Sequence, residues 1–350
     1  MTLINIKNKK MLSKLKSKFI LKLIFNHPKT KTKLKIIKNN KTILYALNIT
    51  PEDFKSYLNI KEINKIFSID INDEFIKKIN LSKKNVKNEE LGLLFNVEFK
   101  QLNKLDLHYN KMLSDINSLE KAKFINLKEL NLSENRISDI SVLEKVNFIE
   151  LKELDLHYNQ ISDINVLEKV NFEQLETLNL SHNCISDIKV LEKVNFEKLK
   201  KLDLQVNFIT DINILEKVNF KELKVLNLAH NIINSINIFE KVDFKQLEYL
   251  FLGKNQITDI QVFEFANFEN LKGLNLSNNR IMFINVLEIA KLSNLKELDL
   301  HYNEIVNIAL FEKNIFKKLE YLDLTMNKID KKDKRSIIKK LKKKVKEFFI

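Results

Sequence analysis

The chain has 350 residues, 60 of them basic and 46 acidic, for a net charge of +14 at pH 7. Three glycines leave no candidate for a glycine-rich phosphate loop. One cysteine, Cys184, excludes an intramolecular disulfide and fits a reducing, cytoplasmic setting. No stretch approaches the length of a membrane-spanning helix.

Charge is unevenly placed. Residues 1–50 hold 13 lysines and no acid, and residues 328–350 carry +8, so residues 51–327 carry −7. Basic ends of this kind can tether a chain to nucleic acid or anionic membrane. Asparagine and isoleucine are abundant too, so the lysines are equally readable as compositional.

In chain order, Leu12, Leu15, Phe19, Ile20, Leu23 and Ile24 form one helical face over Met11 to Phe25. A turn follows around Pro28, then a second helical segment over Leu34 to Leu47. Thr50-Pro51-Glu52-Asp53 predicts a helix start, with a cap, a proline at the first position and acids in the first turn. Residues 1–75 are therefore read as a basic helical region. Ile76, Ile79 and Leu81 begin a degenerate lead-in repeat over 76–101, with a return helix from Asn88 to Phe95.

From Leu102 one stretch recurs ten times with a 24-residue period, apart from one extra residue near Met112. The copy at Leu151 reads LKELDLHYNQISDINVLEKVNFEQ. Leucines fall at positions 1, 4 and 6, asparagine at 9, and isoleucine at 11 and 14. The alternation across positions 3 to 7 has strand period, which turns the leucines inward and the polar residues outward. Buried asparagines at position 9 must bond backbone, and aspartates such as Asp139 and Asp163 are expected to bond nearby turn amides. Phe148, Phe172, Phe196, Phe220, Phe244 and Phe268 form a core spine. A fixed period of this length predicts a solenoid whose copies bury their edges by stacking.

The pattern L-x-x-L-x-L-x-x-N-x-I over 102–329 resembles the leucine-rich repeat. Its NxIxDI segment is most similar to the internalins and the leucine-rich regulatory subunit of type-1 protein phosphatase, with two extra residues in LEKVNF. The resemblance implies an α/β solenoid with a curved, parallel concave sheet, a helical N-terminal cap, and a basic C-terminal cap helix over 330–350. Ile337, Ile338, Leu341 and Val345 give that helix its face, and Phe348, Phe349 and Ile350 suit a closing strand. SKFILKLIFNHPKTKTKLKIIKNNKTIL, Ser17 to Leu44, resembles an F-box without that family's leading proline and its tryptophan. This second resemblance implies a ubiquitin-ligase adaptor that binds a Skp-type partner through residues 17–58.

No set of residues forms a catalytic constellation, and no cofactor is implied. The expectation is a non-enzymatic scaffold with a protein partner on the concave face. There the copy LEYLFLGKN turns Tyr249 and Phe251 outward where polar residues are the rule. Gly253 and Gly273 flank them, Val225, Val206 and Phe208 lie nearby, and Tyr321 adds an aromatic further on. Aromatic anchors beside small residues make a binding hot spot. His157 and Tyr158, in one of three HYN segments, are expected to add polar contact surface. His157 with His182 and Asp155 is the one cluster close enough to weigh for zinc, and no metal is assigned to it.

Overall fold

A computed structural model describes residues 51–69, 71, 76–313, 315–330 and 337–350. The F-box-like segment and the helices expected before residue 48 lie outside the described residues. The chain divides between residues 73 and 74 into two units.

In the first unit, helix α1 spans Pro51–Phe67. It starts on the proline, whose missing N–H has no helical partner to lose. Ile60, Ile63 and Phe67 are buried at one-turn spacing. Ser68 then turns left-handed at φ 50°, and the Asn64 side chain ties down the backbone at Ile71. Its amide donates to the Ile71 carbonyl and its oxygen accepts from the Ile71 N–H, both at 2.8 Å.

The second unit is a solenoid of twelve short parallel strands in sequence order. They are β1 (Lys78–Asn80), β2 (Lys104–Asp106), β3 (Glu129–Asn131), β4 (Glu153–Asp155), β5 (Thr177–Asn179), β6 (Lys201–Asp203), β7 (Val225–Asn227), β8 (Tyr249–Phe251), β9 (Gly273–Asn275), β10 (Glu297–Asp299), β11 (Tyr321–Asp323) and β12 (Glu347–Phe349). Strands β2 to β11 are positions 3 to 5 of the ten copies, and the register is constant, as in Leu154↔Leu178. The leucines at position 4, from Leu105 to Leu322, are at most 2% exposed. Burial of each contributes roughly 1.5–3 kcal/mol, which no single copy could collect alone.

The return path is helical at its start. Helix α2 covers Asn88–Phe95 behind β1, and later copies substitute one 3-10 turn, such as Ser141–Glu144 or Asn165–Glu168. The position-13 aspartates cap these turns: Asp139 Oδ1 accepts from the Ser141 N–H at 2.8 Å, and Asp163, Asp187, Asp211 and Asp259 repeat the contact. The position-22 phenylalanines are fully buried. Each lends its carbonyl to the N–H of the leucine that opens the next copy, as in Leu151 to Phe148 at 3.0 Å. The extra residue of the first copy falls at the turn, where Met112 is exposed.

The position-9 asparagines form a continuous buried ladder. Asn207 Nδ2 donates to Leu204 of its own copy at 3.1 Å and to Leu180 of the copy before at 3.0 Å. Its Oδ1 accepts from the Ile185 N–H at 2.9 Å. The chain reaches this geometry through a left-handed residue at position 8 of every copy, from Tyr109 at φ 57° to Met326 at φ 56°. None of these is glycine. Val206, at φ 52°, is the costly case, since a β-branched residue there is strained by roughly 1–2 kcal/mol. Val206→Asn should therefore raise stability by about 1 kcal/mol. The readout is the urea midpoint, and an unchanged midpoint would mean the turn is not left-handed in solution.

At the far end, residues 337–341 are helical and Ile337, Leu341 and Val345 are buried. Strand β12 then pairs with β11, placing Phe348 beside Leu322 and Phe349 beside Asp323.

Candidate functional site

Because every strand has the same register, the outward residues stand in two columns across the sheet. Position 3 runs Val225, Tyr249, Gly273, Glu297, Tyr321 and Glu347. Position 5 runs Asn227, Phe251, Asn275, Asp299, Asp323 and Phe349. Position 7 is tucked beneath position 5, and position 8 has already left the sheet for the turn.

Positions 5 and 7 are chemically coupled. The carboxylate or amide at 5 accepts from the backbone N–H at 7, and in most copies a side chain at 7 bonds it too, Thr325 beside Asp323 among them. Gln205 and Ala229, beside Asp203 and Asn227, are exceptions. Aspartate takes histidine: His157 Nδ1 lies 2.7 Å from Asp155 Oδ1, and His108 and His301 repeat the contact with Asp106 and Asp299. Asparagine takes serine: Ser181 Oγ donates to Asn179 Oδ1 at 2.8 Å, as Ser133 and Ser277 do to Asn131 and Asn275. Along position 5, aspartate and asparagine alternate from Asp106 to Asn227, and where histidine or serine follows at position 7 the two choices go together.

Strand β8 breaks this pairing. Phe251 replaces the acceptor, and its position-7 partner becomes Gly253. A Cβ on Gly253 would meet Asn275 Oδ1 at 2.5 Å and Ser277 Oγ at 2.9 Å. Tyr249 lies parallel to Phe251, with ring centroids 6.3 Å apart and planes 7° apart. The Tyr249 ring leans over the next strand, where a Cβ on Gly273 would meet its Cδ1 at 2.6 Å. Gly273 is therefore the room that the Tyr249 ring needs, while Gly253 clears the Asn275 and Ser277 side chains of the next copy.

Beyond the pair the sheet opens into a groove of about 340 Å³. Phe251 and Tyr321 wall it, Gly273 and Asn275 floor it, and Glu297, Asp299, Glu320 and Glu347 carry its charge. Its one cation, Lys346, is already held by Glu320 at 2.7 Å. Burial, reinforced by Asp299 and Asp323, pushes the pKa of the Tyr321 hydroxyl up to about 12. Tyr321 also meets Phe349, with ring centroids 5.9 Å apart.

The structure thus brings together Val225, Tyr249, Phe251, Gly253 and Gly273, and sets Tyr321 across the groove from them. It does not bring Val206 and Phe208 to this place. Both lie in the turn after β6, on the edge beyond the two columns, with Phe208 exposed. His157 and Tyr158 lie toward the other end of the sheet. Tyr158 stands in the turn, stacked on His182 with centroids 3.8 Å apart. Asp155 hydrogen-bonds His157 and raises its pKa, against the opposing effect of burial. Burial lowers that of His182, helped by the charges of His157 and His230. A histidine whose folded pKa exceeds the ordinary 6.5 stabilises the fold below that value and loses the contribution as pH rises through the folded pKa. His157→Gln should therefore cost stability at about pH 5.5 and little at about pH 8.5, read from urea midpoints at the two pH values. An equal cost at both would sink the assignment.

A second cluster lies beside the groove. The ligand-type atoms of Asp299, His301 and Asp323 lie within 4.8 Å of one another. Both His301 nitrogens are engaged, Nδ1 by Asp299 at 2.9 Å and Nε2 by the Asn278 amide at 2.7 Å.

Comparison with known proteins adds the family. A profile described as leucine rich repeat matches residues 245–305, and one described as leucine rich repeats in two copies matches 125–169, 173–217 and 221–265. Together they span half the chain. The chain belongs to the leucine-rich repeat proteins. No curated protein matches it in sequence. Among solved structures, an internalin (inlF) of Listeria monocytogenes is 25% identical with a TM-score of 0.59, over 85% of this chain and 94% of that one. A leucine-rich repeat protein of Leptospira interrogans is 23% identical with a TM-score of 0.53, over 78% and 83%. A plant peptide hormone receptor, RGFR1, solved in complex with RGF2, is 18% identical with a TM-score of 0.55, over 73% of this chain and 44% of that one. These last two share the fold.

Several features of this leucine-rich repeat array escape the sequence pattern. Glu297, Asp299 and Glu347 join the groove only because the strand register aligns them. On the return side, lysines at position 19 pair with the glutamate of the previous copy, from Lys145–Glu120 at 3.6 Å to Lys241–Glu216 at 3.8 Å. The series then lapses at Phe265 and Ile289 and resumes at Lys313–Glu288. Phe265, Phe283 and Ile289 are each at least 60% exposed. The signal is present in the sequence, as FEFANF where other copies read LEKVNF. Among the described residues, no helix is long and apolar enough to cross a membrane.

Proposed function

We propose that this leucine-rich repeat protein is a non-enzymatic scaffold that holds a protein partner across the open face of its sheet, over β8 to β11. The observation that carries this is the aromatic pair Tyr249 and Phe251, stacked and half-buried, with Gly273 on the next strand leaving room for the Tyr249 ring. A repeat that merely drifted would lose its polar pairing without gaining, on the neighbouring strand, a glycine fitted to the new ring. Large aromatic surfaces at a groove are the residues on which protein interfaces concentrate their affinity. A cytoplasmic setting suits the single cysteine.

The test is a pull-down from native extract with the wild type and a Tyr249→Ala/Phe251→Ala double variant, both checked for folding. The expected result is loss of one specific partner from the double variant. Identical partner sets would make the reading wrong.

A further inference from the structure

The groove has a chemistry of its own, and the position-5 column shows it. From Asp106 to Asn227, every aspartate is separated from the next by asparagine. That spacing keeps carboxylates two strands apart, roughly 10 Å. Phe251 interrupts the column at β8, and at β10 and β11 two aspartates, Asp299 and Asp323, stand side by side with ligand atoms within 4.8 Å. Like charges directly opposed on neighbouring strands are destabilising. The aspartate pair falls at the groove's edge, where Glu297, Glu320 and Glu347 add further negative charge. Lys346, its one cation, is spent on Glu320, and among the described residues no ion pair forms at Glu297 or Glu347. The walls on either side, Phe251 and Tyr321, present aromatic surface. Carboxylates between aromatic walls suit a cation that stacks while it is neutralised.

We propose that the groove receives a lysine or arginine side chain from an extended, basic segment of the partner. The methylene stem lies against Phe251 and Tyr321, and the charged head reaches Glu297, Asp299 and Asp323. The groove's own lining sets four carboxylates, Glu297, Asp299, Glu320 and Glu347, against the single Lys346, so a basic segment is steered toward it. This inference rests on the scaffold reading, since it names the chemistry of the occupant of the same face.

The test uses a random peptide library displayed on phage and panned against the full chain, with synthetic peptides made from the recovered sequences. The expected result is peptides that share a lysine or arginine at one position and lose binding in the Tyr249→Ala/Phe251→Ala variant. Changing that basic residue to alanine should weaken binding at least about tenfold, with weakening also as salt rises from about 50 to about 500 mM. A Glu297→Gln/Glu347→Gln double variant should weaken it similarly. Those side chains hold no ion pair among the described residues, so the fold should be unaffected, and circular dichroism and the urea midpoint check this. Asp299→Asn provides a second, independent variant. Peptides that need Tyr249 and Phe251 but ignore every carboxylate change would overturn the cation assignment and leave the scaffold standing. Recovery of no peptide dependent on Tyr249 and Phe251 would overturn both.

Discussion

Asn207→Ala should destabilise the solenoid by about 2–4 kcal/mol, one of the largest effects of any single substitution in the array. The substitution touches three buried backbone groups: it leaves the Ile185 N–H without a partner and takes one of two donors from the Leu180 and Leu204 carbonyls, which keep Asn183 and Asn231. A buried backbone group left unpaired costs roughly 1–3 kcal/mol, and a methyl group offers nothing in exchange. The loss is also not local. Two of the three groups belong to the preceding copy, so the change weakens the interface between repeats on which a solenoid's cooperativity depends. Urea unfolding followed by circular dichroism measures the loss. Asn327→Ala is the internal comparison. Its side chain makes the same bonds but is only partly buried, so water can replace them and the cost should be clearly smaller. Equal costs at the two positions would mean that burial of the ladder is not what makes it matter.

Gly273→Ala carries the second large effect. The new Cβ would fall 2.6 Å from Tyr249 Cδ1 and 3.0 Å from Cε1. These atoms are in the middle of a ring stacked on Phe251, not at the free end of a flexible chain. Overpacking of this kind costs roughly 1–3 kcal/mol. The cause is separable from any general intolerance of β9. In a Tyr249→Ala background the obstruction is gone, so Gly273→Ala should cost almost nothing there. The resulting double-mutant cycle should show a coupling of at least about 1 kcal/mol. Additive costs would mean that the glycine serves some purpose other than making room for the ring.

Much of this architecture is legible in the amino-acid order. Leu151, Leu154 and Leu156 declare a strand, their 24-residue recurrence declares a solenoid, and Asn159 can only be a backbone-bonding residue once it is buried. The left-handed turn is not legible. Its occupants, Tyr158, His182, Val206 and Lys254, share no residue type that marks that conformation, and the stacking of neighbours imposes it on them. Without the turn, positions 8 and 10 look like a continuation of the strand, which is why Val206 and Phe208 read from sequence as neighbours of Tyr249 and Phe251. The aromatic half of the candidate site is legible because Tyr249 and Phe251 violate a periodic rule. The acidic half is not, because Glu297 and Asp299 obey that rule, and Glu347 sits in a strand that carries none of the leucine pattern. Their shared location comes from register alone.

The pairing of position 5 with position 7 also limits the increments in which such an array can lengthen. Duplicating one copy preserves every backbone bond, because each turn of the coil is interchangeable at the main chain. It does not preserve the surface. One added copy sets an Asp–His pair against another Asp–His pair about 4.8 Å away, with no asparagine amide between them. Two added copies restore the order. The position-5 column therefore carries a parity that the backbone lacks, and over β2 to β11 it departs from that parity only at Phe251 and Asp323, on either side of the aromatic groove.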